Sequence, residues 1–536
     1  MQSCDILVIG GGPAGYSAAL HAVKLGAHQG LSVALVESRQ LGGTCLNRGC
    51  IPTKALLDTA EIMDSLKDAA KRGIDLSGSV NLDMQKVLRF KERIVKKLGA
   101  GIAVLLRDAG VPVIEGTATI TQTENEFLVS VTKDGQTQDF AAKKVIFAPG
   151  SIPTRIPLPG ADDPKVATRI LTSDELLDID FVPKKLLVLG GGVIGIEAAR
   201  IIRGFGGDVH LIEALPRLLP FMDAEISALL TKTLLSRKIK ISTGVQATGV
   251  RATETGLALS LSTGDDIDGS HLLIAVGRSP NTSSLSPEMK TALKSDARGF
   301  IPVDHRMRTA LPGFFAPGDV NGKSMLAHAA MEMGRRAAET AVDELGKAST
   351  TRESSLEELR RRTIEKWDNT DFPNRETEFF PFYVPCCVYG DPEIGVIGWT
   401  EEQARERFGD RIRISRSPFA ANGRAVTADR QEGFAKVVYL EDWDRIVGVH
   451  LIGPGASETI NEAATIFSLD VCASYWAPTL HAHPTYGETL VEAVKSAPQS
   501  EPQSETQSET QSETQTETQT ETQTETQTET QTETQS

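Results

Sequence analysis

Apolar runs that end in glycine set the pattern of the chain. Asp5–Ile9 is a continuous apolar stretch of strand length. It runs directly into Gly10-Gly-Gly-Pro-Ala-Gly15, and an alanine-rich segment, Tyr16 to about Leu25, follows with helical spacing. Ser32–Val36 reads as a second strand and stops at Glu37. The same plan returns about 180 residues later. Lys185–Leu189 is an apolar strand, Gly190-Gly-Gly-Val-Ile-Gly195 follows, a helix runs to about Phe205, and a strand over Asp208–Ile212 stops at Glu213. A βαβ unit is written twice.

The remaining segments differ in character. Thr53–Leu106 reads as mostly helical and Val111–Val131 as strands. Leu272–Val276 and Phe314–Asp319 end further strands, and Leu326–Asp343 reads as a helix. Gly346–Glu378 is polar and charged, with a helical pattern at Leu356–Trp367, and reads as a surface insertion. From Phe379 the pattern becomes α+β, with strands near Val384–Tyr389, Gly433–Tyr439 and Ile446–Leu451 and a helix near Glu458–Phe467. Pro498–Ser536 repeats Ser-Glu-Thr-Gln and then Thr-Glu-Thr-Gln with no apolar anchor, so it reads as a disordered tail.

The expected fold class is therefore α/β, with two Rossmann-like dinucleotide-binding domains and a C-terminal α+β domain. The expected partition is 1–150 and 277–345 for the first dinucleotide domain, 151–276 for the second, 346–378 for the insertion, 379–496 for the C-terminal domain and 497–536 for the tail.

Composition narrows the function. The 536 residues are 40% hydrophobic and 24% charged, an ordinary soluble balance. Net charge is −15, and nine glutamates of the tail leave −6 for the rest, which does not attract phosphate backbones or anionic lipid. Aromatics at 5% argue against a stacking platform for single-stranded nucleic acid. No apolar run reaches 18 residues and no leader precedes Asp5, so neither a nucleic-acid nor a membrane partner is expected, and the expected location is cytoplasmic. Six cysteines in this length form no disulfide scaffold, and no second pair near Cys45 and Cys50 gives a zinc spacing, so no metal is expected.

The glycine turns carry the first chemistry. A strand-to-helix turn aims backbone N–H groups and the helix N-terminus at a pyrophosphate. Gly10 and Gly190 allow the tight turn, Gly12 and Gly192 the approach of phosphate, and Gly15 and Gly195 the close packing of helix on strand. An acid about 20 residues on reads a ribose diol. Glu37 follows Gly15 by 22 and Glu213 follows Gly195 by 18. Glu213 would repel a 2′-phosphate, which favours NAD over NADP; Arg217 is near but lies past Pro216.

The segment Gly42-Gly43-Thr44-Cys45-Leu46-Asn47-Arg48-Gly49-Cys50-Ile51-Pro52-Thr53-Lys54 follows the first unit. In an ideal helix, residues five apart lie roughly 8–9 Å apart at Cα, beyond disulfide reach, so pairing requires a distorted helix, which Gly42, Gly43 and Gly49 permit. By spacing alone, two unrelated thiols read as well as a redox pair; the place after a dinucleotide turn favours the pair. Lys54 sets a cation near a thiolate or a flavin. Near the C-terminus stands His481-Ala482-His483-Pro484-Thr485-Tyr486-Gly487-Glu488, where an imidazole and a carboxylate could serve a thiol as base and orienting group. A packed histidine pair is the alternative. Cys386 and Cys387 sit in an apolar strand and read as packing.

At these residues the chain resembles the dihydrolipoamide dehydrogenases, flavoprotein disulfide reductases of the class I pyridine nucleotide-disulfide oxidoreductases. The likeness covers roughly Cys4 to Val494 apart from the insertion. It rests on GGTCLNRGCIPTK and HAHPTYGE, with support from Leu273–Asn281, Phe315–Val320, Met325–His328 and His450–Gly455. The resemblance implies FAD held by Gly10, Gly12, Gly15 and Glu37, with Asp319 on its ribityl chain and Thr44, Lys54, Gly116, Ser151, Met325, Leu326, Ala327 and His328 around it. It implies NAD held by Gly190, Gly192, Gly195, Glu197, Glu213, Val245 and Gly277. Cys45 and Cys50 would form the redox disulfide, Cys50 facing the flavin and Cys45 exchanging with substrate. Lys54 would pair with Glu197. His483, oriented by Glu488, would be the base, supplied across a homodimer. The implied reaction oxidises dihydrolipoamide to lipoamide with reduction of NAD⁺. The carrier would be the lipoyl domain of an acyltransferase or of a glycine cleavage carrier protein, and because no lipoyl domain precedes Met1 the substrate is expected on another protein or free.

The alternatives are another NAD(P)H-dependent disulfide reductase, such as a glutathione reductase, and a non-catalytic FAD/NAD-binding subunit. Glu213 speaks against the first and the complete redox set against the second. Mercuric and large thioredoxin reductases would need cysteines after Cys472, and none follows. The departures from the family pattern are Pro149 in Ala-Pro-Gly-Ser, the insertion and the tail.

Overall fold

The computed structural model describes residues 1–27, 29–123, 126–346, 381–441 and 444–496. All but one residue of the expected insertion, and the whole repeat tail, lie outside the described residues.

The first unit opens with β1 (Gln2–Ile9), α1 (Pro13–Gly26) and β2 (Val33–Glu37). Then come α2 (Gly43–Arg48), α3 (Cys50–Asp68) and α4 (Met84–Asp108). Strands β3 (Val113–Glu115), β4 (Thr117–Gln122), β5 (Phe127–Lys133) and β6 (Gln136–Phe147) complete it, with β7 (Ser151–Pro153) leading out. The sheet order is β3-β2-β1-β6-β5-β4. Strands β1, β2, β3 and β6 run parallel, and β4 and β5 add an antiparallel edge. Ile6, Leu7 and Val8 are fully buried. That is why β1 reads as a continuous apolar run: helices or strands cover both faces, and each such side chain contributes about 1.5–3 kcal/mol.

The second unit places β8 (Ile170–Leu171), β9 (Lys185–Leu189), α5 (Val193–Gly204), β10 (Asp208–Glu213), α6 (Ala224–Ser236) and β11 (Lys240–Thr243) in sequence. An antiparallel three-stranded sheet follows, β12 (Ala247–Ala252), β13 (Leu257–Leu261) and β14 (Asp266–Gly269), and then β15 (His271–Ile274). The parallel sheet runs β11-β10-β9-β15-β8. The chain returns through β16 (Arg278–Pro280), paired with β7, and β17 (Phe314–Phe315) joins β6 of the first sheet. Helix α7 (Ala327–Glu344) then packs on α1.

The third unit is an antiparallel sheet, β18 (Cys386–Val388), β19 (Glu393–Gly398), β20 (Ile412–Pro418), β21 (Phe434–Leu440) and β22 (Arg445–Gly453), in the order β18-β19-β22-β21-β20. Helices α8 (Glu401–Phe408), α9 (Ala456–Leu469) and α10 (Glu488–Lys495) accompany it. The two βαβ units and the α+β unit thus form where the periodicity places them.

One apolar cluster ties the units together. Leu56, Leu57 and Ala60 of α3 pack with Ala198, Ile201 and Ile202 of α5 and with Ile394 and Ile452 of the third sheet. The helix that begins at Cys50 is thereby fixed against the helix that carries Glu197. Among the described residues no helix is long and apolar enough to cross a membrane.

Candidate active site

A cavity of about 1700 Å³ opens where the three units meet. Pockets for single small ligands run to roughly 1,000 Å³, so this one has room for more than one guest.

The two glycine turns form two of its walls, and they are built alike. Gly10 and Gly190 have φ of +101° and +116°. A Cβ on Gly15 would lie 1.8 Å from the Gly10 carbonyl oxygen, and one on Gly195 2.0 Å from that of Gly190, so these glycines serve packing. Gly12 and Gly192 differ: each lines the cavity, and a Cβ there would meet no protein atom closer than 3.7 Å. Their bareness serves an approaching ligand, the cradle that a dinucleotide pyrophosphate needs. Neither α1 nor α5 has a side-chain cap at its N-terminus, which leaves first-turn N–H groups for phosphate oxygens. Glu37 Oε2 accepts from the Gly11 N–H at 2.6 Å and Glu213 Oε2 from the Gly191 N–H at 2.6 Å. Their Oε1 atoms accept from Arg39 N–H and Leu215 N–H, each at 2.7 Å. The residues present fit two dinucleotides.

Cys45 and Cys50 lie between the cradles. Helix α2 ends at Gly49, whose φ of −145° and ψ of −115° break the helical path before α3 begins at Cys50. That break supplies the distortion the spacing demands. Cys45 and Cys50 stand here as two thiols, the reduced form of the redox pair that the resemblance implies. Both line the cavity and they hydrogen-bond each other. The hydrogen bond from Cys45, aided by the Lys54 charge, brings the Cys50 thiol down to about 7 against the cost of burial. Accepting that role pushes Cys45 upward, as does its burial. Cys50 is therefore the thiolate and Cys45 the proton holder. Alkylation by iodoacetamide is expected to rise through pH 7 with Cys50 as the labelled site, checked by peptide mass mapping; preferential labelling of Cys45 would reverse the assignment.

Lys54, one turn beyond Cys50, donates to both oxygens of Glu197 at 2.9 and 3.0 Å. Its ammonium also sits 4.3 Å from the centre of the Tyr389 ring, and the Tyr389 N–H donates to Glu197 Oε1 at 3.1 Å. One cation thus joins all three units beside the thiolate. On the other side, Ser151 Oγ donates to Asp319 Oδ2 at 2.5 Å, and Arg278 clasps Ser151 through Nε to Oγ and through a terminal N–H to the carbonyl, both at 2.7 Å. Burial pushes the Asp319 carboxyl up, while Ser151 and Arg278 oppose it.

Of the expected site residues, Gly10, Gly12, Glu37, Thr44, Lys54, Ser151, Asp319 and Met325–His328 line the cavity, as do Gly190, Gly192, Glu197, Glu213 and Gly277. Gly15 and Gly195 stand behind the turns. Gly116 and Val245 do not line it, but their N–H groups donate to the carbonyls of Glu37 and Glu213. His483 and Glu488 are also outside the lining. His483 is 75% exposed on its own chain, its Nδ1 hydrogen-bonded to Glu488 Oε1 at 2.8 Å. Glu488 also takes the Thr485 N–H at 2.7 Å, and these bonds hold its carboxyl below the usual range. The neighbouring His481 is instead occupied by Glu462 and the Thr479 carbonyl.

Sequence reasoning passed over the roles of Arg278 and Tyr389. Arg278 lay within a quoted motif but its contact with Ser151 forms across two strands, and Tyr389 is 335 residues from Lys54. Cys386 and Cys387 pack against apolar clusters as expected, yet Cys387 also lines the cavity. Burial pushes its thiol up to about 12, and the thiol faces the Ser457 carbonyl at 3.9 Å, so it stays protonated.

A thiol pair between two dinucleotide cradles, backed by a separate antiparallel unit, defines a nucleotide-linked thiol–disulfide oxidoreductase. Comparison places that class: the profile of the pyridine nucleotide-disulphide oxidoreductases matches residues 4–334, and that of their dimerisation domain matches residues 384–494. The chain belongs to this family, with FAD and NAD(H) as the implied dinucleotides. It is 38% identical to the dihydrolipoyl dehydrogenase of Thermus scotoductus over 504 residues, covering 92% of this chain and 98% of that one. It is 36% identical to that of Chlorobaculum tepidum over 494 residues, covering 91% and 96%. Among solved structures, LpdA of Mycobacterium tuberculosis superposes with a TM-score of 0.79 at 24% identity, covering 92% of this chain and 99% of that one. The HOCl-induced flavoprotein disulfide reductase RclA of Escherichia coli gives 0.74 at 26%, covering 92% and 100%.

Proposed function

We propose that the chain is a dihydrolipoyl dehydrogenase that oxidises a protein-bound dihydrolipoyl group and reduces NAD⁺, acting as a homodimer. The observation that carries this is the dithiol set between two dinucleotide cradles in one cavity. The partition at 1–150 with 277–345, 151–276 and 379–496 agrees with how the sheets segregate, and the location is cytoplasmic.

Gly10, Gly12 and Glu37 would hold the pyrophosphate and ribose of FAD, and Asp319, kept in place by Ser151, its ribityl chain. Gly190, Gly192 and Glu213 would hold NAD. FAD, when bound, supplies the two-electron chemistry that links the dithiol to the nicotinamide. The protein's own residues manage protons and sulfur. The partner subunit's His483, oriented by its Glu488, takes the proton of one dihydrolipoyl thiol. That thiolate attacks Cys45 Sγ in the disulfide form, breaking the Cys45–Cys50 bond and releasing Cys50 as thiolate. The second lipoyl thiol attacks the lipoyl sulfur of the mixed disulfide, breaking its bond to Cys45, and its proton passes to the departing Cys45 sulfur. Lipoamide leaves, and Cys45 and Cys50 remain as the dithiol seen in this structure. The Lys54 charge favours the Cys50 thiolate.

The carrier is the lipoyl domain of an acyltransferase or of a glycine cleavage carrier protein. Purified protein is expected to turn over with dihydrolipoamide and NAD⁺, and hardly at all with glutathione disulfide and NADPH. Steady-state absorbance at the NADH band measures both. Preference for the second pair would make the chain a glutathione-type reductase and overturn the proposal.

A further inference from the structure

The segment 214–222 connects β10 to α6 and forms the outer lip of the second cradle. Leu218 and Leu219 are fully buried, and the Leu219 N–H donates to the Gly191 carbonyl at 3.0 Å, so the lip is fastened to the glycine turn itself. Leu215 and Phe221 do the opposite. They are 49% and 55% exposed, and both line the cavity beyond Glu213. Large apolar side chains left open together at a cavity edge mark a place where a ligand can rest.

The far side of the lip is held by the third unit. Arg217 does not line the cavity. Its guanidinium donates to Glu402 Oε1 on α8 at 2.8 Å and to the carbonyls of Pro220 and Met222 at 3.2 Å each. At the end of the segment Asp223 takes the buried Lys436 ammonium of β21 at 2.9 and 3.1 Å and the Glu401 N–H at 3.2 Å. The lip is pinned at one side to the coenzyme turn and at the other to the C-terminal sheet and α8.

We propose that Arg217 is a positioning residue for NAD: through Glu402 it fastens the 214–222 lip to the C-terminal unit, so that Leu215 and Phe221 stand against the adenosine half of the coenzyme. The proposal rests on the reading of Glu213 as the ribose anchor. It gives Arg217 a task other than reading a 2′-phosphate, since its guanidinium is turned to Glu402 and two lip carbonyls. The Arg217–Glu402 pair is half-exposed and adds little to stability, so variants fold.

Arg217→Met and Glu402→Gln holoenzymes are compared with the parent by steady-state kinetics and by direct NADH titration. Each is expected to raise KM for NAD⁺ and the NADH Kd about 5-fold or more, with kcat at saturation and flavin content unchanged. The double variant is expected to be no worse than either single one, and the exchanged pair Arg217→Glu with Glu402→Arg to recover most of the affinity. A rise in Arg217→Met alone, with Glu402→Gln unchanged, would mean that Arg217 acts without Glu402, through its carbonyl contacts or on the coenzyme itself, and would overturn the tether. No rise in either, alongside a rise in a Glu213→Gln control, would overturn it as well. An unchanged Glu213→Gln would instead remove the ribose anchor on which the proposal stands.

Discussion

A Cys50→Ser protein is expected to purify yellow and to lose dihydrolipoamide turnover by about 10³-fold or more. The two effects separate because different residues carry them. The FAD cradle is made by the Gly10 turn, Glu37 and the Asp319–Ser151–Arg278 chain, none of which touches the Cys50 sulfur through a bond that serine would break. Turnover needs a disulfide that opens and closes, and an oxygen at residue 50 cannot take part. Cys45→Ser is expected to fail equally in turnover. Cys45→Ala is expected to fail with a further signature: it removes the hydrogen bond that does most to lower the Cys50 thiol, which a serine hydroxyl would still donate, so alkylation of Cys50 should begin at higher pH than in the parent. Flavin absorbance, steady-state rate and the pH profile of alkylation together check this. Full turnover by either serine variant would remove the pair from the reaction.

His483→Gln is expected to slow turnover by about 10²–10⁴-fold while flavin content and NAD affinity stay at parental values. Glutamine keeps the polar contact to Glu488 but cannot accept a proton. The same residue tests the dimer. On its own chain His483 faces solvent and stands outside the cavity, so it reaches thiols only if a second copy brings it. Hybrids of one Cys45→Ser subunit and one His483→Gln subunit hold one site with both defects and one with neither. Co-refolded mixtures should therefore regain activity that neither homodimer has. If the hybrids stay inactive, the base acts within its own chain or lies elsewhere.

Much of this was legible in the residues because it is local. A glycine turn after an apolar strand and an acid some 20 positions later are contained in one βαβ unit, and both copies fold as written. The five-residue spacing of Cys45 and Cys50 even required the helix break found at Gly49. What escaped was made by tertiary approach. The Tyr389 ring reaches Lys54 only because β18 is laid against α3 and α5, and no periodicity in either segment encodes that meeting. Arg278 meets Ser151 because β7 and β16 pair in one register. Cys387 was assigned to packing from its apolar neighbours, and on a strand alternate side chains point opposite ways, so one of two adjacent cysteines was free to face the cavity.

The likeness of the two turns has a last implication. In each, the glutamate is already fixed by two backbone N–H groups, so neither turn must rearrange to receive a nucleotide, and neither alone can make one guest permanent and the other transient. Residence time must be set farther out. The first cradle has the Asp319–Ser151–Arg278 hydrogen-bond chain at its edge, whereas the second is edged by Leu215, Phe221 and Val276, all 40% exposed or more. A molecule in the first is offered a polar chain to bind; one in the second leaves past an open apolar rim, as an exchanging carrier of reducing equivalents must on every catalytic cycle.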